Sequence, residues 1–180
     1  MSNFCVESEL TNPKCYTIQP IEFDSEENIL DILLDVLKSE LPARLGQVLG
    51  CDNKPLYINE DDIDLVYPEK EARFIVVLTP ISETPEYSGN LHYRTNEYVF
   101  EAKLYVVHTS RECLTWEFIR FKNVVDGLLL GTDLLIDNYN SVAVIPRGFR
   151  WTPVLGDNNG SYRREGAYRF SVTVSQIKKN

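Results

Sequence analysis

The sequence predicts an α+β fold: a mostly antiparallel sheet of four or five strands, two helices packed on one face, and a projecting β-hairpin. Three observations carry this expectation. Two segments repeat apolar residues at helical spacing, and others alternate apolar and polar residues with period 2. Along the chain these run helix, hairpin, helix, then more strands. Alternating strands put one sheet face on a core and leave the other in water, as antiparallel sheets do.

At 180 residues the chain fits one domain with a real core. Hydrophobic residues make up 43% and charged residues 25%, which argues against wholesale disorder. The longest apolar run, NILDILLDVL, is broken by Asp31 and Asp35. It falls short of the ~20 residues of a membrane span. The start, MSNFCVESEL, has no basic segment followed by an apolar one. The expectation is a protein without a signal peptide, used or assembled in a cytosol. Four cysteines, at 5, 15, 51 and 113, show no C-x-x-C spacing and read as free thiols in a reducing compartment. Cys113, near a helix start, reads as a structural thiol.

Residues 1–23, with Pro13 and Pro20, lack periodicity and read as an irregular N-terminal arm; 24–180 read as a single α+β domain. Asp24 is the expected N-cap of the first helix, with Glu27 at its third position. Ile29, Ile32, Leu33, Val36 and Leu37 form the apolar stripe, and Leu30, Leu34 and Leu41 widen it. Pro42 should kink or restart the helix, and Leu45, Val48 and Leu49 continue the pattern to Gly50. Residues 51–71 are polar and acidic and read as a long connection with one short strand.

RFIVVLT (73–79) and EYVFEAKLYVVH (97–108) are strands, the second with Phe100, Ala102, Leu104 and Val106 on one face. Between them Ser88-Gly89-Asn90 supplies turn formers, so 73–108 is a long hairpin. Thr109-Ser110-Arg111-Glu112 reads as a capping box for the second helix. Leu114, Phe118, Phe121, Val125 and Leu128 then form a clean stripe up to Gly131. A turn around Asn138-Tyr139-Asn140, the strand SVAVIP (141–146), a loop with Asn159-Gly160 and the strand GAYRFSVTV (166–174) complete the order. In the last strand Tyr168, Phe170, Val172 and Val174 belong on the core. Arg169, Ser171, Thr173 and Ser175 face away from the helices.

The net charge of −9 is split along the chain. Residues 1–97 carry 19 acids against 7 bases, and residues 98–180 carry 8 acids against 11 bases. The acidic total argues against a general nucleic-acid binder. The asymmetry suits head-to-tail contact with copies of itself or with other proteins, or simply two solvated surfaces of different sign.

The usual hydrolase, metalloprotease and phosphate-loop signatures are absent from the sequence. The histidines are His92 and His108; the second, near Cys113, is weak grounds for a thiol nucleophile. NEDDID (59–64) lacks calcium-loop spacing and reads as a solvated acidic loop. Glu101-Ala102-Lys103 matches the E-x-K of Mg²⁺ nucleases, with Asp64 as a possible upstream carboxylate, but Asp52-Asn53-Lys54 matches it too. A surface ion pair is the better reading. No catalytic residue, cofactor or metal ligand is assigned. The segment 146–169 interleaves arginines with aromatics, the composition of protein–protein hot spots. Its candidate interface residues are Arg147, Phe149, Arg150, Trp151, Arg163, Arg164 and Arg169; the alternative is aromatics tucked under the sheet, chiefly Phe149 and Trp151.

Over roughly residues 24–177 the chain resembles the tail terminators, or tail-completion (head–tail joining) proteins, of tailed bacteriophages. The resemblance lies in the leading helix ENILDILLDVLKSELPARL, the hairpin 73–108, the second helix ECLTWEFIRFKNVVDGLLLG and the closing strand GAYRFSVTV. It implies a virion protein assembled in the host cytoplasm. Such a subunit forms a sixfold ring with itself on the head-proximal end of the tail tube, stops tube growth, and offers a docking surface to neck or connector proteins. DNA would pass without specific binding, and no membrane, cofactor or catalytic residue is implied. Residues 1–23 and 51–71 exceed the family's pattern, which keeps another neck, connector or sheath adaptor as an alternative. A Mg²⁺-dependent nuclease using Glu101, Lys103 and Asp64 is the alternative from another class.

Overall fold

A computed structural model describes residues 3–6, 14–17, 25–69, 72–87, 93–131, 141–156 and 159–177. The two apolar stripes become helices α1 (Ser25–Leu45) and α2 (Arg111–Gly131). In α1, Ile29, Leu33, Leu37, Leu41 and Leu45 recur once per turn and are fully buried, with Leu30 beside them. The helix passes through Pro42, whose missing N–H costs one bond in the last turn. It ends at Leu45, with the Gly46 N–H still donating to the Pro42 carbonyl at 3.0 Å. The expected continuation to Gly50 is therefore corrected: Leu49 is exposed and bridges to Pro55 across a turn. The expected cap Asp24 lies outside the described residues.

The α2 stripe is borne out, with Leu114, Phe118, Phe121, Val125 and Leu128 all buried. Its cap shifts by one residue. Ser110 Oγ, not Thr109, accepts the Cys113 N–H, at 3.4 Å. His108 Nδ1 accepts the Ser110 N–H at 2.8 Å, the role a capping-box glutamate would have played.

Among the described residues eight strands follow in chain order: β1 (Asn3–Val6), β2 (Lys14–Thr17), β3 (Ile63–Asp64), β4 (Phe74–Tyr87), β5 (Tyr93–His108), β6 (Ser141–Trp151), β7 (Leu155–Gly156) and β8 (Tyr162–Ile177). Within 1–23, read as an irregular arm, β1 and β2 pair antiparallel with Cys5 opposite Cys15. The main sheet is six-stranded, in the order β3-β4-β5-β8-β6, with β7 beside β8. Its long pairs are antiparallel, and β3 joins β4 in parallel. The fold is α+β, as expected; the two-residue β3 is the short strand expected within 51–71, and the two-residue β7 is the additional one.

The hairpin β4–β5 is longer than the sequence pattern marks, running past Pro80 with a register shift before Ser82. Its turn Ser88-Gly89-Asn90 lies outside the described residues, as does Asn138-Tyr139-Asn140. The hairpin does not stand alone. β8 borders β5 over its full length, from Tyr93↔Ile177 to His108↔Tyr162. β6 also extends beyond the expected SVAVIP, because a bulge between Pro146 and Gly148 lets the strand continue to Trp151. Proline is tolerated there because among the described residues β6 is an edge strand, with one side free of ladder bonds.

One sheet face carries the core. Phe74, Val76 and Leu78 of β4 join Phe100, Ala102, Leu104 and Val106 of β5 and Tyr168, Phe170 and Val172 of β8. Both helices cover this face. Each buried Leu or Phe contributes about 1.5–3 kcal/mol by leaving water. Gly166 sits in mid-strand beneath Phe118 and Phe149. A Cβ there would lie 2.4 Å from Phe149 Cζ and 2.7 Å from Phe118 Cζ.

Two glycine substitutions should therefore move stability in opposite directions. Gly166→Ala overpacks the ring cluster and is expected to destabilise by about 1–3 kcal/mol. Gly127, inside α2 with open space at its Cβ position, is expected to gain about 0.5–1 kcal/mol on change to Ala. Urea midpoints at unchanged slope check both signs.

Candidate functional site

The sheet face away from the helices is polar and ion-paired over β5 and β8, while its β4 part holds the buried Ile75 and Val77. Arg169 Nε donates to Glu101 Oε2 at 2.7 Å, across a direct register pair. Lys103 Nζ stands 3.9 Å from the other carboxylate oxygen. Arg147, the extra residue of the β6 bulge, donates to Ser171 Oγ at 3.0 Å and pairs with Glu97. Arg163 lies 4.0 Å from Glu165. The hydroxyl row of β8 thus has a use at Ser171, which is fully buried beneath Arg147. Such pairs, half exposed at their arginines, are worth about 1 kcal/mol or less each.

The seven arginines and aromatics singled out in 146–169 are divided between two faces. Arg147, Arg150, Arg163 and Arg169 belong to the polar face, set by the register Arg150↔Ala167 and Glu101↔Arg169 and by the contacts above. Phe149, Trp151 and Arg164 belong to the helix side. Phe149 and Trp151 meet edge to face at 4.9 Å, and Trp151 lies 5.3 Å from Phe118. The Arg164 guanidinium sits 4.7 Å over Trp151 and 5.6 Å over Phe118. Phe149 is half-buried, whereas Trp151 keeps 42% of its surface.

Glu101 of the E-x-K motif is buried and held by Arg169, so a cation would compete with a guanidinium for it. Asp64 shares a row with Lys103, but Val77 of β4 stands between them. That places their backbones about 10 Å apart. Asp64 Oδ1 accepts the Leu65 N–H at 2.7 Å. In NEDDID, Glu60 and Asp61 are exposed, while Asp62 is buried and accepts the Asn59 side chain at 2.8 Å. Among the described residues no three His, Cys, Asp or Glu side chains form a metal-holding group.

Sequence reasoning missed Glu117. It is fully buried on α2, and Arg73 Nη2 donates to both its oxygens at 2.7 and 2.8 Å. The Cys51 N–H donates to Oε1 at 3.1 Å, and His108 Nε2 lies 3.8 Å away. This carboxylate ties α2 to the start of β4, the end of β5 and the turn after α1. The available signal was a glutamate directly before Phe118, inside the buried arc of the helix. Beside it a polar cleft of about 450 Å³ opens between Pro55, Tyr57, Asn59, Asp62, Arg73 and Phe74.

The two edges of the sheet differ in sign. At the β3 edge, residues 57–69 hold Glu60, Asp61, Asp62, Asp64 and Glu69 and no base. Tyr57, Leu65, Val66 and Tyr67 are exposed among them. At the β6–β7 edge, residues 144–156 hold Arg147 and Arg150 and no acid, with Ile145, Trp151 and Leu155 exposed. Among the described residues nothing pairs with the outer side of β6. One molecule thus carries an acidic edge and, on the opposite side of the sheet, an edge with Arg150 and the Glu97-paired Arg147, each with exposed apolar groups.

Removing Glu117 and Glu101, two of the buried carboxylates, should have unequal effects. Glu117→Ala strands the Cys51 N–H and the Arg73 guanidinium and is expected to cost about 2–3 kcal/mol in urea unfolding. Glu101→Ala, whose partner Arg169 is half in water, should cost less than about 1 kcal/mol. Comparison with known proteins found no matching family model and no matching curated protein, so the functional reading rests on this geometry.

Proposed function

We propose that this chain is a structural virion protein of a tailed bacteriophage, acting as a tail terminator. In this reading it forms a ring, six subunits round, at the head-proximal end of the tail tube. The ring ends tube growth and offers a docking surface to the neck. The observation that carries the reading is the opposite charge of the two sheet edges. A heterologous contact needs two different, complementary patches on one subunit, and it closes into a ring when the rotation permits. An exposed strand edge such as β6 is a liability unless something pairs with it or covers it. The bulge, Pro146 and the arginines discourage indiscriminate pairing and leave a specific neighbour as the natural occupant.

DNA passing through such a ring would meet a chain of net charge −9, which does not retain it. The nuclease alternative would require Glu101 to exchange Arg169 for a metal ion. A neck, connector or sheath adaptor would use the same edges but cap a different structure.

Size exclusion with light scattering at high concentration, together with negative-stain microscopy, should show rings with a mass near six subunits. Arg150→Glu, at an exposed site on the basic edge, should shift the population toward monomer. Raising salt should do the same, since exposed charges are screened within about 8 Å at physiological ionic strength. A monodisperse monomer with no affinity for tail-tube ends would contradict the reading. Mg²⁺-dependent DNA cleavage that disappears in Glu101→Ala would replace it with the nuclease.

A further inference from the structure

The turn after α1 lies along one stripe of α2. Cys113, Glu117 and Arg120 stand at i, i+4 and i+7 of that helix and share a face. The chain crosses them in reverse order. Arg120 donates to the Leu49 carbonyl. The Glu117 Oε1 atom lies 2.8 Å from where a Cβ on Gly50 would stand, so the backbone there runs directly over the carboxylate. The Cys51 N–H then donates to Glu117 at 3.1 Å. These three anchors lay Cys51 along the face of α2 that carries Cys113, whose thiol is the main influence on that of Cys51. Both are free thiols; Cys51 is exposed and Cys113 half-buried, so small reagents reach the pair.

We propose that Cys51 and Cys113 form a redox pair that stays reduced in a reducing compartment and closes into a disulfide in oxidising surroundings. The bond would staple the turn after α1 to the first turn of α2. This inference is independent of the proposed assembly. The oxidant is a small-molecule disulfide such as oxidised glutathione. One cysteine thiolate attacks it, forming a mixed disulfide and releasing one glutathione. The second cysteine thiolate attacks the protein sulfur of that mixed disulfide and expels the second glutathione. Two protein thiols become one disulfide, and their two protons end on the two glutathione thiols.

The hydrogen bond with Cys113, then desolvation, pushes the Cys51 thiol up to about 11. Because thiolate is the reactive species, closure should be faster at pH 9 than at pH 7.

The test uses the full chain, incubated folded with oxidised glutathione and digested without reductant. Cys5 and Cys15 are register partners across β1 and β2, so the two pairs must be told apart. Trypsin leaves the four cysteines on four separate peptides, which mass spectrometry resolves. The expected result is an intramolecular Cys51–Cys113 link that dithiothreitol reverses, with Tm higher by about 5–10 °C in the oxidised form. In Cys113→Ser the link to Cys51 should be lost and Cys51 should stop at the glutathione adduct. Persistence of both thiols in the folded wild type, glutathione adducts without closure, or a link made only in denaturant would overturn the proposal.

Discussion

The insertion of β8 between β5 and β6 is the constraint on which the rest of the structure depends. The last strand in sequence is an interior strand of the sheet, bonded on both sides. Its pairing with β5 joins residues as far apart as Tyr93 and Ile177. Without it, β4–β5 would be a hairpin with one open side, and β6 would have nothing to pair with. Because β8 takes the interior position, β6 becomes the edge. That explains why a strand with Pro146 and a glycine bulge is tolerated, and why arginines and an exposed tryptophan lie at the rim. Such non-local pairing closes long loops before it is rewarded, so it should dominate the folding barrier.

The same strand divides the chemistry of the molecule. Its even-numbered residues Tyr168, Phe170 and Val172 complete the core, and Gly166 makes room for Phe118 and Phe149. Its odd-numbered residues meet Glu101, Lys103 and Arg147 on the face away from the helices. On the core side the main polar exception is Glu117, which accepts hydrogen bonds from two segments distant in sequence. A buried carboxylate is stable only when its oxygens are filled, and here they fix how the turn after α1 meets α2.

Much of this was legible in the sequence. The stripes of α1 and α2 and the alternation of β5 and β8 gave the fold class, because burial on one face enforces those periods. The rest was hidden for definite reasons. Pro146 and Gly148 look like strand breakers, yet an edge position and a bulge accommodate both. Pro80 and Pro85 masked the length of β4 in the same way. β7 is too short for any period. Pro42 read as a restart, but in the last turn it removes only one bond. In the arginine-rich segment the alternative of aromatics tucked under the sheet matches where Phe149 and Trp151 pack, while the division of its arginines between two faces depends on a bulge that composition does not reveal. Glu117 and the Cys51–Cys113 pair depend on contacts distant in sequence, which no local pattern carries.

The functional account rests on one claim: the acidic β3 edge of one molecule receives the basic β6 edge of the next. The most direct measurement places a photo-crosslinker at Ile145, exposed on β6. Isotope-labelled and unlabelled protein are mixed at high concentration, and the products are mapped by mass spectrometry. The account predicts mixed-isotope links from position 145 to residues 57–69 of a second copy. Links only within one chain, or between the β6 edges of two copies, would contradict it.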